Sequence, residues 1–406
     1  MVYALNCFCY CSEKSLNLPH YERIALVLQG GGALGAYQAG VYQGLNEAGI
    51  MPNHISGISI GALNTAIIAG NAPQDRVEKL HQFWETICQP NLGMSMLPFF
   101  EQGLFNMHDW FKIGLGNMYG LSAIFDGQNG FYQPRIPPPA MVGHGIPEQA
   151  SYYDTSALKH TLEKFCDFDR INSNKCNVHV SVGAVNVRTG NFVYFDNECH
   201  ELRAEHFMAS GALPPAFAPV EIDGDYYWDG GIVSNTPLTY VLGAKPSRDT
   251  LVFQVDLWSA RGHVPQNMEQ VNDRQKEIQY SSRTRMLTDY WKQVQEMRHA
   301  IGKLLELVPP EKLPENGSLA KIKELADKRK YNVIQLIYRD RPYERHNKDY
   351  QFGLASMKDH WQSGLMDIRQ TLDKPEFLAM PENDIGFVSH DVHREEVYVP
   401  KGVKAK

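Results

Sequence analysis

A serine between two glycines is the first feature of this sequence that could perform nucleophilic chemistry. Ser59 stands at the centre of Gly57-Ile58-Ser59-Ile60-Gly61, which matches the G-x-S-x-G pattern of a nucleophile elbow. The flanking glycines Gly57 and Gly61 let backbone pack against backbone, so that the serine hydroxyl projects outward. The same residues also fit an ordinary helix start in which Ser59 caps the helix. Taken alone, the pattern favours neither interpretation.

A glycine-rich turn lies one strand–helix unit earlier in the chain. Residues 24–28 are apolar without helical periodicity, which predicts a strand buried on both faces. The turn Gly30-Gly31-Gly32-Ala33-Leu34-Gly35 follows, and residues 36–48 then predict a helix that ends at Gly49. Bare backbone N–H groups at the start of a helix favour negative charge. The turn is therefore a candidate anion site.

Two kinds of anion fit this turn. Gly30, Gly32 and Gly35 satisfy the G-x-G-x-x-G fingerprint of dinucleotide binding, which also needs an acidic residue about 20 positions further on. Residues 50–55 contain no acid, and the serine motif follows instead. We therefore interpret the turn as an oxyanion hole, built from Gly30, Gly31, Gly32 and Gly35.

An aspartate far along the chain is the candidate base. Asp229 follows three aromatic residues, 226–228, and precedes Gly230 and Gly231. One interpretation is a plain turn aspartate, because Asp-Gly turns are common. The other is a carboxylate buried among those aromatic residues. Burial would raise the pKa of Asp229 from about 4 and make it a better base near neutral pH.

Four sequence blocks together resemble the patatin-like phospholipase family, in the order that the family has them. The first two are the glycine-rich turn and the serine motif. The third, residues 208–219, resembles the family's Ala-Ser-x-Ala-x-Pro-x-x-Phe-x-Pro stretch. The fourth, Asp229-Gly230-Gly231, resembles its Asp-Gly-Gly/Ala motif. The resemblance extends from residue 23 to about residue 258, and the remainder is similar to an extension that a subset of bacterial members carries.

The resemblance implies a serine acyl hydrolase with a catalytic dyad. Ser59 would be the nucleophile and Asp229 the general base, with Gly57, Gly61, Gly230 and Gly231 as the elbow and motif glycines. The expected activity is that of a phospholipase A or lysophospholipase. Alternatives with the same dyad are an esterase for hydroxyalkanoate oligomers or polyesters and an acyltransferase. An alternative of another class is a catalytically inactive lipid-binding or scaffold protein.

One position departs from the family. Many members carry Arg or Lys two residues after the third glycine, where this chain has Leu34. A cation there could help to hold an anionic head group. Its absence therefore weakens the prediction that the substrate is a phospholipid, whereas the backbone donors needed for acyl transfer remain.

A histidine-containing triad is the nearest rival mechanism. Ser59, Asp229 and His263 follow one another in α/β-hydrolase order. That fold places several strands before its elbow, and here one clear strand precedes Ser59. The sequence contains no H-E-x-x-H motif and no calcium-loop spacing, so we expect neither a metal nor a cofactor.

Composition limits the class of protein. A net charge of −7 over 406 residues argues against nucleic acid as a partner. No apolar run approaches the roughly 20 residues that span a bilayer, so we expect a cytoplasmic protein acting on a lipid or other ester substrate, with peripheral membrane contact left open. Seven cysteines do not suggest a secreted disulfide framework, and the spacing of Cys7, Cys9 and Cys11 suits no closed zinc site.

The expected fold is a three-layer α/β/α arrangement, with a central, mostly parallel sheet between helices. A hairpin at residues 178–185 and 191–196 makes the sheet mixed, and its His179 is expected to be packed rather than catalytic.

The expected domains are a disordered N-terminal tip (1–22), a catalytic domain (23–262) and a C-terminal extension (263–406). Within the catalytic domain, residues 89–150 predict a lid-like or linker insertion. In the extension, residues 267–308 predict one long helix, 331–338 a strand and 350–372 a helix, before a polar, irregular tail from Pro375. Homo-oligomer formation through the extension is left open.

Overall fold

A computed structural model describes residues 18–89, 120, 122–143, 145–173, 176–281, 284–309, 322–323, 325–339, 348–382 and 385–392. The cysteines of the N-terminal tip and residues 90–119 of the predicted lid-like insertion lie outside the described residues. The described strands are β1 (Arg23–Leu28), β2 (His54–Gly57), β3 (Gln133–Pro134), β4 (Tyr153–Asp154), β5 (His179–Asn186), β6 (Phe192–Asp196), β7 (Val220–Ile222), β8 (Asp225–Asp229), β9 (Thr250–Asp256), β10 (Tyr331–Ile337) and β11 (Phe387–Asp391).

Nine of these strands form one mixed sheet. Its order is β11-β10-β9-β1-β2-β5-β8-β7, and β6 also pairs with β5. All neighbours from β11 to β5 run parallel, whereas β6, β8 and β7 run antiparallel to their partners. The mostly parallel, mixed sheet that the sequence predicts is confirmed, and so is the hairpin β5–β6. Strands β3 and β4 form a separate two-stranded sheet.

Helices cover both faces of the large sheet. Those with described bounds are α1 (Gly35–Glu47), α2 (Ile60–Ala69), α3 (Arg76–Cys88), α4 (Ser156–Phe165), α5 (Phe168–Asn172), α6 (Ala204–Ser210), α7 (Leu238–Gly243), α8 (Met268–Tyr280), α9 (Thr284–Glu306), α10 (Leu354–Leu372) and α11 (Pro375–Leu378).

The alternation of side chains along β1 explains the three layers. Leu26 and Leu28 point into the larger core, which α1, α2, α3 and α10 cover. Ala25 and Val27 point into a second core on the opposite face, together with residues of α7. Because successive strand residues face opposite sides, a continuous apolar run such as β1 fits only a sheet that is covered twice. The three-layer α/β/α fold is thereby confirmed.

Helix α10 of the extension packs directly on α1 through glycines. A Cβ atom added at Gly364 would collide with the carbonyl oxygen of Tyr37, and one added at Gly40 would collide with the carbonyl oxygen of Trp361. Backbone therefore touches backbone where the two helices cross. The Tyr37 hydroxyl also donates a hydrogen bond of 2.8 Å to Asp367 at this crossing.

The extension also continues the sheet. Strand β10 pairs with β9, which confirms the predicted strand at residues 331–338. The region predicted as one long helix is described as α8 and α9. The tail from Pro375 was predicted to be irregular, and this is wrong for residues 375–378, which form α11, and for residues 387–391, which form β11. Only Phe387 of β11 is buried, so its edge position rests on backbone pairing with β10 rather than on an apolar pattern. The domain boundary at residue 262 stays a prediction.

The helix crossing gives a test of how tightly the extension is held. Replacing Gly364 with Ala raises helix propensity by about 1 kcal/mol, yet we expect Gly364→Ala to lower the free energy of unfolding by about 1–3 kcal/mol. The added methyl group meets a backbone carbonyl that cannot rotate away. Chemical denaturation measures the effect, with Gly143→Ala as the control, since a Cβ at Gly143 meets no atom within 4 Å. Equal stability of the two variants would contradict the described packing.

Candidate active site

Ser59 occupies a strained turn between β2 and α2. Its backbone has φ 55° and ψ −124°, a conformation that few L-residues adopt. The turn can be this tight because Gly61 has no Cβ: a Cβ there would collide with the carbonyl oxygen of Leu28 in β1. The Ser59 side chain makes no capping hydrogen bond to α2. The helix-cap interpretation is therefore wrong, and the hydroxyl faces the adjoining cavity instead.

The third sequence block holds the turn in place. The Ser59 N–H donates to both the carbonyl oxygen and Oγ of Ser210, each at 3.1 Å. The Ser210 hydroxyl donates in turn to the Gly183 carbonyl at 2.7 Å. Two residues later, the Ala212 carbonyl accepts the N–H of Asp229 at 2.9 Å. One short segment thus fixes the backbone of both Ser59 and Asp229.

Asp229 is the last residue of β8, and its side chain is buried against the turn. The residue is 2% exposed, and its Oδ1 accepts the Gly231 N–H at 2.7 Å. Burial raises the pKa of Asp229 to about 7, although hydrogen bonds from Gly231 and from the Ser59 hydroxyl act in the opposite direction. The structure therefore brings Ser59 and Asp229 into hydrogen-bonding contact.

The predicted cause of this pKa shift needs a correction. The pKa of Asp229 is raised as expected, but residues 226–228 are only partly buried and are not among the described residues that line the cavity. Successive residues of β8 point to opposite faces, so they cannot all enclose one carboxylate. The aromatic residues that share the cavity with Asp229 come from elsewhere in the chain, and they include Trp258 and Tyr280.

The glycine-rich turn presents backbone N–H groups to the cavity. The Gly30 N–H donates to Asn235, at 3.3 Å to its carbonyl oxygen and 3.2 Å to Oδ1. The Gly35 N–H donates to the Gly32 carbonyl. Among the described residues, no acceptor is found for the N–H groups of Gly31 and Gly32, and both glycines line the cavity. Gly32 has φ 57°, which favours glycine.

Side chains that no sequence motif indicated support this turn from behind. Asn235 Nδ2 donates to the Gly30 carbonyl at 3.0 Å and to the Tyr280 carbonyl at 2.9 Å. The Trp258 indole N–H donates to the same Gly30 carbonyl at 2.9 Å. Gln29 Oε1 accepts the backbone N–H groups of Leu257 and Trp258 at 2.6 and 2.9 Å. Asn235 lies four residues after Gly231 in the sequence, and this closeness to the Asp-Gly-Gly motif was the one sequence signal that could have marked it as a site residue.

Ser59, Asp229 and the turn glycines Gly30, Gly31 and Gly32 all line one cavity of about 330 Å³. One side is apolar, with an aromatic cluster whose rings contact one another. Its members are Phe131, Tyr132, Tyr153, Phe217 and Phe352. Two of them, Phe131 and Tyr132, belong to the predicted lid-like insertion. Tyr280, Asp349 and Tyr350 from the C-terminal extension also line the cavity. An apolar cavity with few polar groups suits a ligand with a long apolar part.

The remaining candidate residues lie apart from this cavity. His263 is exposed and is not among the described lining residues, so the structure does not assemble the Ser-His-Asp triad. His179 stacks on His54 with ring centroids 4.2 Å apart, which confirms it as a packed residue. Leu34 is fully buried in the larger core. Among the described residues, no group of three His, Cys, Asp or Glu could hold a metal ion.

Family comparisons agree with this fold. The patatin-like phospholipase model matches residues 26–242, more than half of the chain, and a model described as patatin phospholipase matches residues 278–384. The chain belongs to the patatin-like phospholipase family. It is accordingly an enzyme of the lipid acyl hydrolase class.

Similarity to solved structures is distant. VipD from Legionella pneumophila is 17% identical over 84% of this chain and 67% of its own, with a TM-score of 0.34. Human GIVD cytosolic phospholipase A2 is 13% identical over 57% of this chain and 42% of its own, with a TM-score of 0.29. The matching chain in the complex of SpcU with ExoU from Pseudomonas aeruginosa is 15% identical over 81% of this chain and 70% of its own, with a TM-score of 0.26.

A comparison with curated proteins gave no match. None of the described helices has the length and apolar character needed to cross a membrane.

The buried Asp229 makes stability depend on pH. Its pKa rises from 3.8 in the unfolded chain to about 7 in the fold, which corresponds to about 4 kcal/mol at most. The folded state binds the proton more tightly, so this stability is present below pH 3.8 and is lost as the pH rises through 7. We expect Asp229→Asn to raise the free energy of unfolding at pH 8 by up to this amount, and by much less at pH 4.

Denaturant titrations of the wild type and Asp229→Asn at both pH values measure the difference. Asp223→Asn is the matched control, because Asp223 is an exposed turn residue whose side chain is 79% accessible. A variant at Asp229 that is no more stable than the wild type at pH 8 would contradict the burial of a charged carboxylate there.

Proposed function

We propose that the protein is a serine acyl hydrolase that cleaves carboxylic esters of lipid type through Ser59 and Asp229. The observation that carries this proposal is the contact between the Ser59 hydroxyl and a buried carboxylate with a pKa of about 7. A base with a pKa near the working pH is both deprotonated and able to accept a proton. The apolar cavity beside this pair favours a substrate with an acyl chain over a small polar ester.

The proposed reaction has two steps. In the first, Asp229 takes the Ser59 proton while Oγ forms a bond to the ester carbonyl carbon. The C–O bond to the alcohol then breaks, Asp229 gives its proton to the leaving alcohol, and an acyl-enzyme remains. In the second step, Asp229 takes a proton from water, which attacks the acyl carbon. The bond to Oγ breaks, Ser59 recovers the proton and the carboxylic acid leaves.

The negative oxygen that forms in both steps needs donors. We propose that the N–H groups of Gly31 and Gly32 fill this role, since those of Gly30 and Gly35 already have acceptors. Each such donor contributes about 3–4 kcal/mol to the transition state in serine hydrolases. The start of α2 adds a favourable dipole at the same place. The sequence predicted an oxyanion hole of four glycines, whereas this proposal uses only the N–H groups of Gly31 and Gly32.

Labelling by a fluorophosphonate tests the nucleophile. We expect the folded wild type to be labelled and Ser59→Ala to lose both the label and ester hydrolysis, by at least about 1,000-fold in rate. Ser156→Ala is the matched control, because Ser156 is an exposed residue at the start of α4. A folded wild type that takes up no label would support the alternative of an inactive lipid-binding or scaffold protein.

The pH dependence of hydrolysis tests the base. Because Asp229 must be deprotonated and has a pKa of about 7, kcat/KM should rise with pH and level off near pH 8. At pH 6 the value should be about one tenth of the plateau, and at pH 5 about one hundredth. A fluorogenic ester whose leaving group does not titrate in this range gives the measurement. A flat profile between pH 5 and 8 would exclude Asp229 as the base.

A further inference from the structure

Two segments of the C-terminal extension reach the catalytic cavity. They are the end of α8, which contributes Tyr280, and residues 348–352, which contribute Asp349, Tyr350 and Phe352. Residues 348–352 lie beyond the region that the patatin-like phospholipase model matches. Asp349 is a charged side chain within an otherwise mostly apolar wall, and the proposed reaction does not use it.

The Asp349 carboxylate is held by one cation. Lys276 of α8 lies 3.1 Å from Oδ2 and 3.3 Å from Oδ1, and the Asp349 side chain is only 13% exposed. The same ammonium group lies 4.7 Å from the centre of the Tyr350 ring. Burial raises the pKa of Asp349, and Lys276 acts against this shift. Removing the Lys276 charge would leave the buried Asp349 carboxylate without this partner.

A second ion pair runs alongside the first. Lys348 lies 3.1 Å from Glu277, the neighbour of Lys276 on α8, and Arg274 lies 2.8 Å from the same Glu277 side chain. Two successive residues of the 348–352 segment are thus fixed to two successive residues of α8. This arrangement determines where the backbone of the segment lies.

The backbone of Asp349 contacts the glycine-rich turn. Its carbonyl oxygen accepts the Ala33 N–H at 3.0 Å. A Cβ added at Gly32 would collide with that same oxygen, so the segment lies directly against the turn. The Gly31 and Gly32 N–H groups immediately precede this hydrogen bond. Their direction therefore depends on how firmly the Asp349 carbonyl is held.

We propose that Asp349 is a positioning residue for the oxyanion hole, and that its ion pair with Lys276 holds its carbonyl against Ala33. The proposal rests on the proposed function, because it concerns donors to the oxyanion of that reaction. Such donors are effective only if they already point at the developing charge before the reaction begins. The extension thereby completes the catalytic site rather than only covering it.

A comparison of three variants tests the proposal. We expect Asp349→Asn and the double variant Lys276→Met/Asp349→Asn to lower kcat by about 10- to 100-fold with little change in KM, since small displacements of positioned groups have effects of this size. The rate of fluorophosphonate labelling should fall in parallel. The control is Asp327→Asn, which removes another ion-paired carboxylate of the extension, 3.7 Å from Arg298, and should leave kcat unchanged.

Hydrogen exchange gives a readout that does not depend on activity. In both Asp349 variants, peptides covering residues 29–34 should exchange faster than in the wild type, whereas peptides from β9 should not change. Local exchange also separates a displaced turn from general unfolding of the variant.

Each possible result decides the question. Unchanged kcat and unchanged exchange at residues 29–34 in the Asp349 variants would overturn the positioning role while leaving the proposed function intact. A change in KM alone would overturn it as well, because it would indicate direct contact with substrate. A wild type without fluorophosphonate labelling would instead overturn the proposed function itself, and this role with it.

Discussion

The contact between the Ser59 hydroxyl and the Asp229 carboxylate sets the conditions that the rest of the structure has to meet. A carboxylate that is 2% exposed has lost nearly all of its hydration, and its pKa of about 7 records that loss. Among the described residues, hydrogen bonds from Gly231 and from Ser59 partly offset this loss of hydration. The fold therefore has to hold a destabilised group in place through the stability of everything around it, as strained functional sites generally require.

Backbone contacts supply most of that support. Ser59 and Asp229 both hydrogen-bond to the backbone of residues 210–212, so their relative position does not depend on flexible side chains. Gly61 lies against the Leu28 carbonyl, and Gly230 lies against the Gly183 carbonyl. Main-chain atoms approach this closely only where a side chain is absent. The glycines of the family motifs therefore bring neighbouring strands together at the site, in addition to shaping the turns.

Much of the fold was accessible from the sequence, and for identifiable reasons. The buried run of β1, the hairpin β5–β6 and the helix ending at Gly49 each combine an apolar pattern with a turn residue, which local physics determines. Strand β11 has no such pattern, because an edge strand is held by the backbone of its neighbour. It could not be recognised from its own residues.

The candidate site likewise contains residues that the sequence could indicate and residues that it could not. Ser59, Asp229 and the glycines belong to motifs with fixed spacing, and the structure brings Ser59, Asp229 and four of the glycines, Gly30, Gly31, Gly32 and Gly231, to one cavity. Gly35, Gly57, Gly61 and Gly230 are not among its described lining residues. Asn235, Gln29 and Asp349 act through long-range hydrogen bonds to the glycine-rich turn or to the backbone beside it. Such contacts leave no periodic pattern in a single sequence. Of the four glycines predicted as donors, Gly30 donates to Asn235 and Gly35 donates to the Gly32 carbonyl, so among the described residues Gly31 and Gly32 keep an available N–H group.

The position of β10 beside β9 has a consequence for how the chain acquires its shape during synthesis. Strand β9 lies between β1, which is made early, and β10, which leaves the ribosome only after α8 and α9. Until then one edge of β9 has no partner, and exposed strand edges favour association with other chains. A nascent chain that pauses in this interval would depend on chaperones that shield apolar surface. The cavity beside Ser59 would gain its last lining residues only when the last third of the polypeptide arrives.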